Sequence, residues 1–183
     1  VFTGTFNLVT GTYDLTNDAG AMANAELATN AGAIVVVNDE DSPVADRELG
    51  SLSLDGGVLN FGTMTAGSDD GQIVTDSFSV GEGATEVVLS LGGVEDTNGS
   101  SVFDAGTSLT LIEGYDGIVA LGDKLTLSDE TESLSQSILQ NNVHVATFTY
   151  GNGQLNSNNG SVEAVWDLTE IALEDETGLG LNI

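Results

Sequence analysis

The sequence predicts an all-β chain wound as a solenoid, and three observations carry that expectation. Apolar residues alternate with polar ones in short runs, such as Phe78 and Val80 around Ser79, or Val87, Leu89 and Leu91 around Val88 and Ser90. These runs are bounded by Gly, Asn and Asp, the signature of strands ended by turns. A triplet Leu-Ser/Thr-Leu recurs at Leu52–Leu54, Leu89–Leu91, Leu109–Leu111 and Leu125–Leu127, irregularly spaced, as solenoid rungs are when loops of varying length leave them. The composition holds 24 Gly, one Pro (Pro43) and only two Lys or Arg, which favours tight corners over helices. A β-sandwich would use the same short strands; the recurring inward pair favours the solenoid.

Taken in order, Leu52 and Leu54 point inward on even positions, whereas Leu59 and Phe61 do so on odd ones. The switch predicts a corner at Gly56–Gly57, where two glycines permit positive φ. The segments around Phe78, Val87, Leu109 and Leu125 read as further strands. From Ser128 to Asn142 the spacing of Leu134, Ile138 and Leu139 is near-helical after the acidic start Asp129-Glu130, which predicts a short helix or a loop. The rest of the chain is again strand-like. A parity flip between Leu168 and Ile171 predicts a bend or bulge near Thr169–Glu170. Residues 1–127 are thus expected to form β-helix rungs with loops, and residues 128–183 a C-terminal cap.

Charge excludes whole classes of partner. Arg47 and Lys124 stand against 29 Asp and Glu, a formal net charge of -27. Such a chain repels phosphates, so nucleic acid is not expected as a partner, and anionic lipid is disfavoured. The chain opens at Val1 without a charged-then-apolar leader, read as a signal peptide removed or excluded. No apolar run approaches the length of a membrane helix. The chain has no cysteine, which suits passage through a membrane pore in an unfolded, unbridged state.

Catalytic signals are sparse, and no enzyme is expected. His144 is the only histidine and lies in the strand-like run Asn-Val-His-Val-Ala. No Gly-x-Ser-x-Gly elbow surrounds a serine, and a lone histidine without cysteine does not make a zinc or haem site. Two basic residues are too few for lyase chemistry on polyuronates. Paired acids for glycoside hydrolysis are always available among 29 carboxylates, and solvated surface acids account for them equally well. Asn38-Asp39-Glu40-Asp41, Ser68-Asp69-Asp70 and Asp96-Thr97-Asn98-Gly99 are oxygen-rich turns. The last is similar to the first half of an EF-hand loop, but Thr107 stands where its twelfth-position Glu belongs. They read as solvated turns, and no metal or cofactor is assigned.

The end of the chain carries a family resemblance. Val145-Ala146-Thr147-Phe148-Thr149-Tyr150 precedes Leu155; Val162-Glu163-Ala164-Val165-Trp166-Asp167-Leu168-Thr169-Glu170-Ile171-Ala172-Leu173 comes next, and then Leu179-Gly180-Leu181. This resembles the closing rungs of AIDA-type autotransporter passengers, with V-A-x-x-x-Y…L before W-x-L-T-x-I-x-L. The stretches Gly50–Phe61 and Leu109–Gly114 are similar to rungs of the same family. The resemblance implies a right-handed parallel β-helix of five or six rungs, about 20 or more residues each, ending in an autochaperone-like region. Tyr150, Leu155, Val162, Ala164, Trp166, Leu168, Ile171 and Leu173 are its expected cap and folding residues. It also implies a Gram-negative cell-surface or secreted location and an outer-membrane β-barrel elsewhere in the same polypeptide. The expected function is adhesion or self-association, with a host receptor or glycan as a further partner. A stalk presenting an upstream effector is the alternative, and a glycan-active β-helix enzyme the last choice.

Overall fold

A computed structural model of the chain describes residues 2–17, 20–38, 45–65, 71–95 and 106–174. Thirteen strands lie in one continuous sheet, and no helix occurs among the described residues. In chain order they are β1 (Thr3–Asp14), β2 (Met22–Val36), β3 (Arg47–Asp55), β4 (Gly57–Met64), β5 (Ile73–Thr75), β6 (Phe78–Val80) and β7 (Thr85–Leu91). After these come β8 (Val94–Glu95), β9 (Gly106–Glu113), β10 (Leu125–Leu127), β11 (Leu134–Gln140), β12 (Val143–Asn158) and β13 (Ser161–Leu173). The sheet winds into a β-solenoid of about 3 turns. That is fewer than the five or six rungs expected. Register partners in successive turns lie from 21 residues apart (Thr3 and Asn24) to 40 (Thr85 and Leu125), because loops of different length leave the strands, and the chain after Leu127 builds a cap instead of further rungs.

Parallel, in-register pairing stacks like residues on like. Phe6, Leu27, Leu52 and Phe78 form one inward ladder, and Tyr13, Val35, Leu59, Val87 and Leu127 another. All eight leucines of the four Leu-x-Leu triplets are buried. Outward residues form polar ladders: Thr5 Oγ1 donates to Glu26 at 2.7 Å, Asn30 Nδ2 to Asn7 at 2.7 Å, and Thr63 and Ser90 hydroxyls meet at 3.1 Å. The period of two therefore sorts each strand into a dry face and a wet one.

The corner at Gly56–Gly57 is present, with φ of 111° and 100°. A side chain at Gly57 would also meet the Asn30 carbonyl at 2.8 Å. Thr29 Oγ1 donates to the Gly56 carbonyl while the Gly56 N–H donates to Thr85 Oγ1, so this buried corner satisfies its polar groups from adjacent turns. The expected bulge near Thr169 is present too. Thr149 pairs with Glu170 and Tyr150 with Leu168, leaving Thr169 as the extra residue.

The helix or loop expected between Ser128 and Asn142 is corrected: the segment contains strand β11. Its inward residues are Leu134, Gln136 and Ile138. Gln136 hid the alternation because it is polar, yet it sits in the interior. Its Nε2 donates to the Gly92 carbonyl at 3.2 Å, and its Oε1 accepts the Tyr150 hydroxyl at 3.2 Å. Asn141 and Asn142 then turn the chain with φ of 53° and 62°, the paired left-handed conformation of a two-residue hairpin.

Candidate functional site

The candidate site is the C-terminal end, where pairing turns from parallel to antiparallel. Strand β13 pairs antiparallel with β9, β12 with β13, and β11 with β12. This meander covers the edge that β9 would otherwise expose, and one sheet and one core run from the rungs of residues 1–127 into the cap. A solenoid end left uncovered exposes unpaired backbone and core side chains, so such a seal removes an aggregation-prone edge.

Trp166 is the centre of the seal. It is buried, and its indole Nε1 donates to the Thr131 carbonyl at 2.8 Å. Gly153 lies on the ring, and a Cβ there would overlap the indole nitrogen. The Gly153 N–H donates to the Glu132 carbonyl at 3.0 Å. Thr131 is itself fully buried, and its Oγ1 accepts the Leu89 N–H of β7 at 3.3 Å. Residues 131 and 132 thus latch the cap to the body of the solenoid. Sequence reading missed this latch because Thr131 looks like any polar turn residue; its contacts are remote in the chain.

Of the residues expected in the cap, Tyr150, Val162, Ala164 and Trp166 are buried together. Leu155, Leu168 and Ile171 are partly buried against the same core. Leu173 is the exception, with 50% of its surface exposed, because β13 outruns the core after the Thr169 bulge. Burial raises the Tyr150 phenol above its ordinary value of 10.0. Leu155 lines an open cleft of about 700 Å³ together with Val119, Leu121, Leu125, Leu127 and Gln154. Among the described residues, Glu132 is the only acid on the walls of that cleft.

Elsewhere the chemistry is thin. His144 Nε2 meets Thr147 Oγ1 at 3.0 Å and lies 3.9 Å from Glu174 Oε1. Both partners meet the same nitrogen, whereas a hydroxyl–imidazole–carboxylate relay needs the acid on the other one. No three His, Asp or Glu side chains converge among the described residues. Asn38 is committed internally: its Nδ2 donates to the carbonyls of Phe61 and Gly71, and its Oδ1 accepts from Arg47. The other members of that oxygen-rich turn (39–41), and the turns at 68–70 and 96–99, lie outside the described residues, as do Leu179–Leu181 of the tail.

Comparison of the chain with protein-family models, with curated proteins and with solved structures finds no match. The resemblance to AIDA-type passengers therefore rests on the residues of the tail and of the rung-like stretches alone.

Proposed function

We propose that the chain is a non-enzymatic segment of a bacterial surface passenger, in which a β-solenoid serves adhesion or self-association and its C-terminal cap drives folding. One observation supports this above others: one end of the solenoid is closed by its own chain. There β11–β13 continue the sheet antiparallel from β9 and pack around Trp166. Among the described residues β1 pairs only with β2. A winding chain with one sealed end has a place to begin folding and a direction in which to grow. The outward polar ladders supply many weak hydrogen-bonding groups, suited to contacts whose strength comes from number. Their partners are copies of the protein, or a receptor or glycan on a host surface.

The test has two arms. Removing residues 143–183 takes away β12, β13 and Trp166, and circular dichroism should then show loss of the whole solenoid; retained strand signal would sink the folding role. Sedimentation at low salt, high salt and with added calcium should show association that strengthens with the ions, because they screen a charge of -27. A folded monomer under every condition would instead favour the second reading, a stalk that presents an effector carried elsewhere in the polypeptide.

A further inference from the structure

The side of the stack built from β1, β2, β4 and β7 carries an outward apolar surface in its middle turns. We infer that this side is the contact between two copies of the protein, packed face to face about a two-fold axis. The inference rests on the self-association reading and names the surface that carries it.

The first observation lies in the sequence of one strand. Ala33-Ile34-Val35-Val36-Val37 is apolar without a break, whereas Leu52–Leu54 and Leu89–Leu91 alternate with serine. An unbroken run belongs to a parallel strand covered on both faces. Here the chain covers one face only. Ala33, Val35 and Val37 are buried in the core, while Ile34 on the outer face is 41% exposed and Val36 is half-buried.

Register spreads this surface across neighbouring strands. Ile34 and Val36 pair with Val58 and Asn60 of β4, and these with Glu86 and Val88 of β7. Thr12 and Asp14 of β1 flank Ile34 and Val36 on the other side. The outer face is thus four rungs of two residues, apolar through its centre, with Val58 and Val88 also half-buried. Its two acids, Asp14 and Glu86, stand at diagonally opposite corners. The adjoining side of the same turns is mostly polar, with Glu26, Asn30, Ser51, Ser53 and Asp55 outward.

Charge and symmetry select the occupant. A strongly basic partner would seat on carboxylates, and the centre of this face has none. A copy carrying -27 is repelled unless the acids of each face meet neutral groups. A two-fold axis running along the strands, between β2 and β4, meets that condition. It sets Ile34 against Val58 of the second copy and Val36 against Asn60, while Asp14 meets Val88 and Glu86 meets Thr12. No acid of the face opposes another. Turns added along the solenoid axis lengthen this side and do not cover it. Strand spacing and rise put about 300 Å² of each copy in the contact, below the roughly 800 Å² per partner of a stable dimer. The association is therefore reversible and depends on salt.

Substitutions on two sides of the solenoid test the proposal. Sedimentation equilibrium in high salt, at protein concentrations up to the millimolar range, should show the unaltered chain dimerising. Ile34→Glu and Val58→Glu each bring an acid into the contact and should weaken the dimer about tenfold or more, with an unchanged circular dichroism spectrum. Ile34→Thr keeps a β-branched residue in the strand and should weaken it less. Ser53→Glu adds the same charge to the adjoining side and should leave the dimer as it was. If Ser53→Glu weakens it as much as Ile34→Glu, or if the dimer persists in both face variants, the proposed face is wrong while self-association stands. An unaltered chain that stays monomeric at every salt and protein concentration overturns the dimer and the self-association reading together.

Discussion

Arg47 is one of two cationic side chains in the chain, and the fold places it in the interior. Its Nε donates to the Val37 carbonyl at 2.7 Å and its Nη2 reaches Asn38 Oδ1 at 3.3 Å, tying β3 back to the end of the preceding turn. Arg47→Met keeps much of the volume and removes both bonds. A loss of about 2–3 kcal/mol is expected in urea unfolding, with little recovery in Arg47→Lys, since the ammonium lacks the planar fork. Gly57 gives a second test of a single position. Gly57→Ala must hold a Cβ at φ 100° against two backbone carbonyls, so it should cost more than the roughly 1 kcal/mol of ordinary strain, seen as a lower thermal midpoint. The glycine corner was legible in the sequence because the parity of the leucines flips across it. The role of Arg47 was not, since a lone charge in a sequence gives no sign of the carbonyls that wait for it.

At the scale of elements, legibility tracks the chemistry of the inward face. Strands whose inward face holds an uninterrupted aliphatic pair, such as β3, β7 and β10, announce themselves by Leu-x-Leu, and the buried polar residues Arg47 and Thr85 stand only at the starts of β3 and β7. Strand β11 does not, because Gln136 occupies its middle inward position and finds its partners in Gly92 and Tyr150, both far along the chain. The cap shows the same division: the apolar alternation through Val162, Ala164 and Trp166 was readable, whereas the latch at Thr131 was not. The bond between β11 and β12 also predicts an alkaline response. Burial raises the folded-state pKa of Tyr150 above 10.0. Its contribution is therefore intact below that pH and declines as pH rises through the folded value, where the unfolded chain holds fewer protons. Urea unfolding should lose stability above about pH 10, and Tyr150→Phe should show a shallower decline there while being weaker at neutral pH.

For the whole molecule, charge sets the conditions under which everything else is seen. Nothing in the hydrogen-bonded ladders neutralises a net charge of -27; among the described residues the one lysine pairs with Glu82 at 2.6 Å at an exposed site worth little. Self-repulsion should make the fold weaker at low ionic strength. Adding salt until the screening length falls to about 10 Å is expected to raise the thermal midpoint, by about 2–4 °C for each kcal/mol recovered. A midpoint that ignores salt would mean the carboxylates are far enough apart to act singly. Solenoid winding was readable from the sequence, because repeated inward pairs imply repeated turns. The number of turns was not, because loop length and cap size leave no periodic trace.

Trp166 is the only tryptophan, and it sits where the last strands close over the stack with its indole nitrogen bonded to Thr131. Its fluorescence is therefore a reporter of cap closure alone, blind to the turns near β1, whereas far-ultraviolet dichroism averages over every strand. Refolding monitored by both signals would time one end of the molecule against the whole. An emission change that precedes the dichroism would make the sealed end the seed of the fold, and one that trails it would make the seal a late lock on a stack already wound.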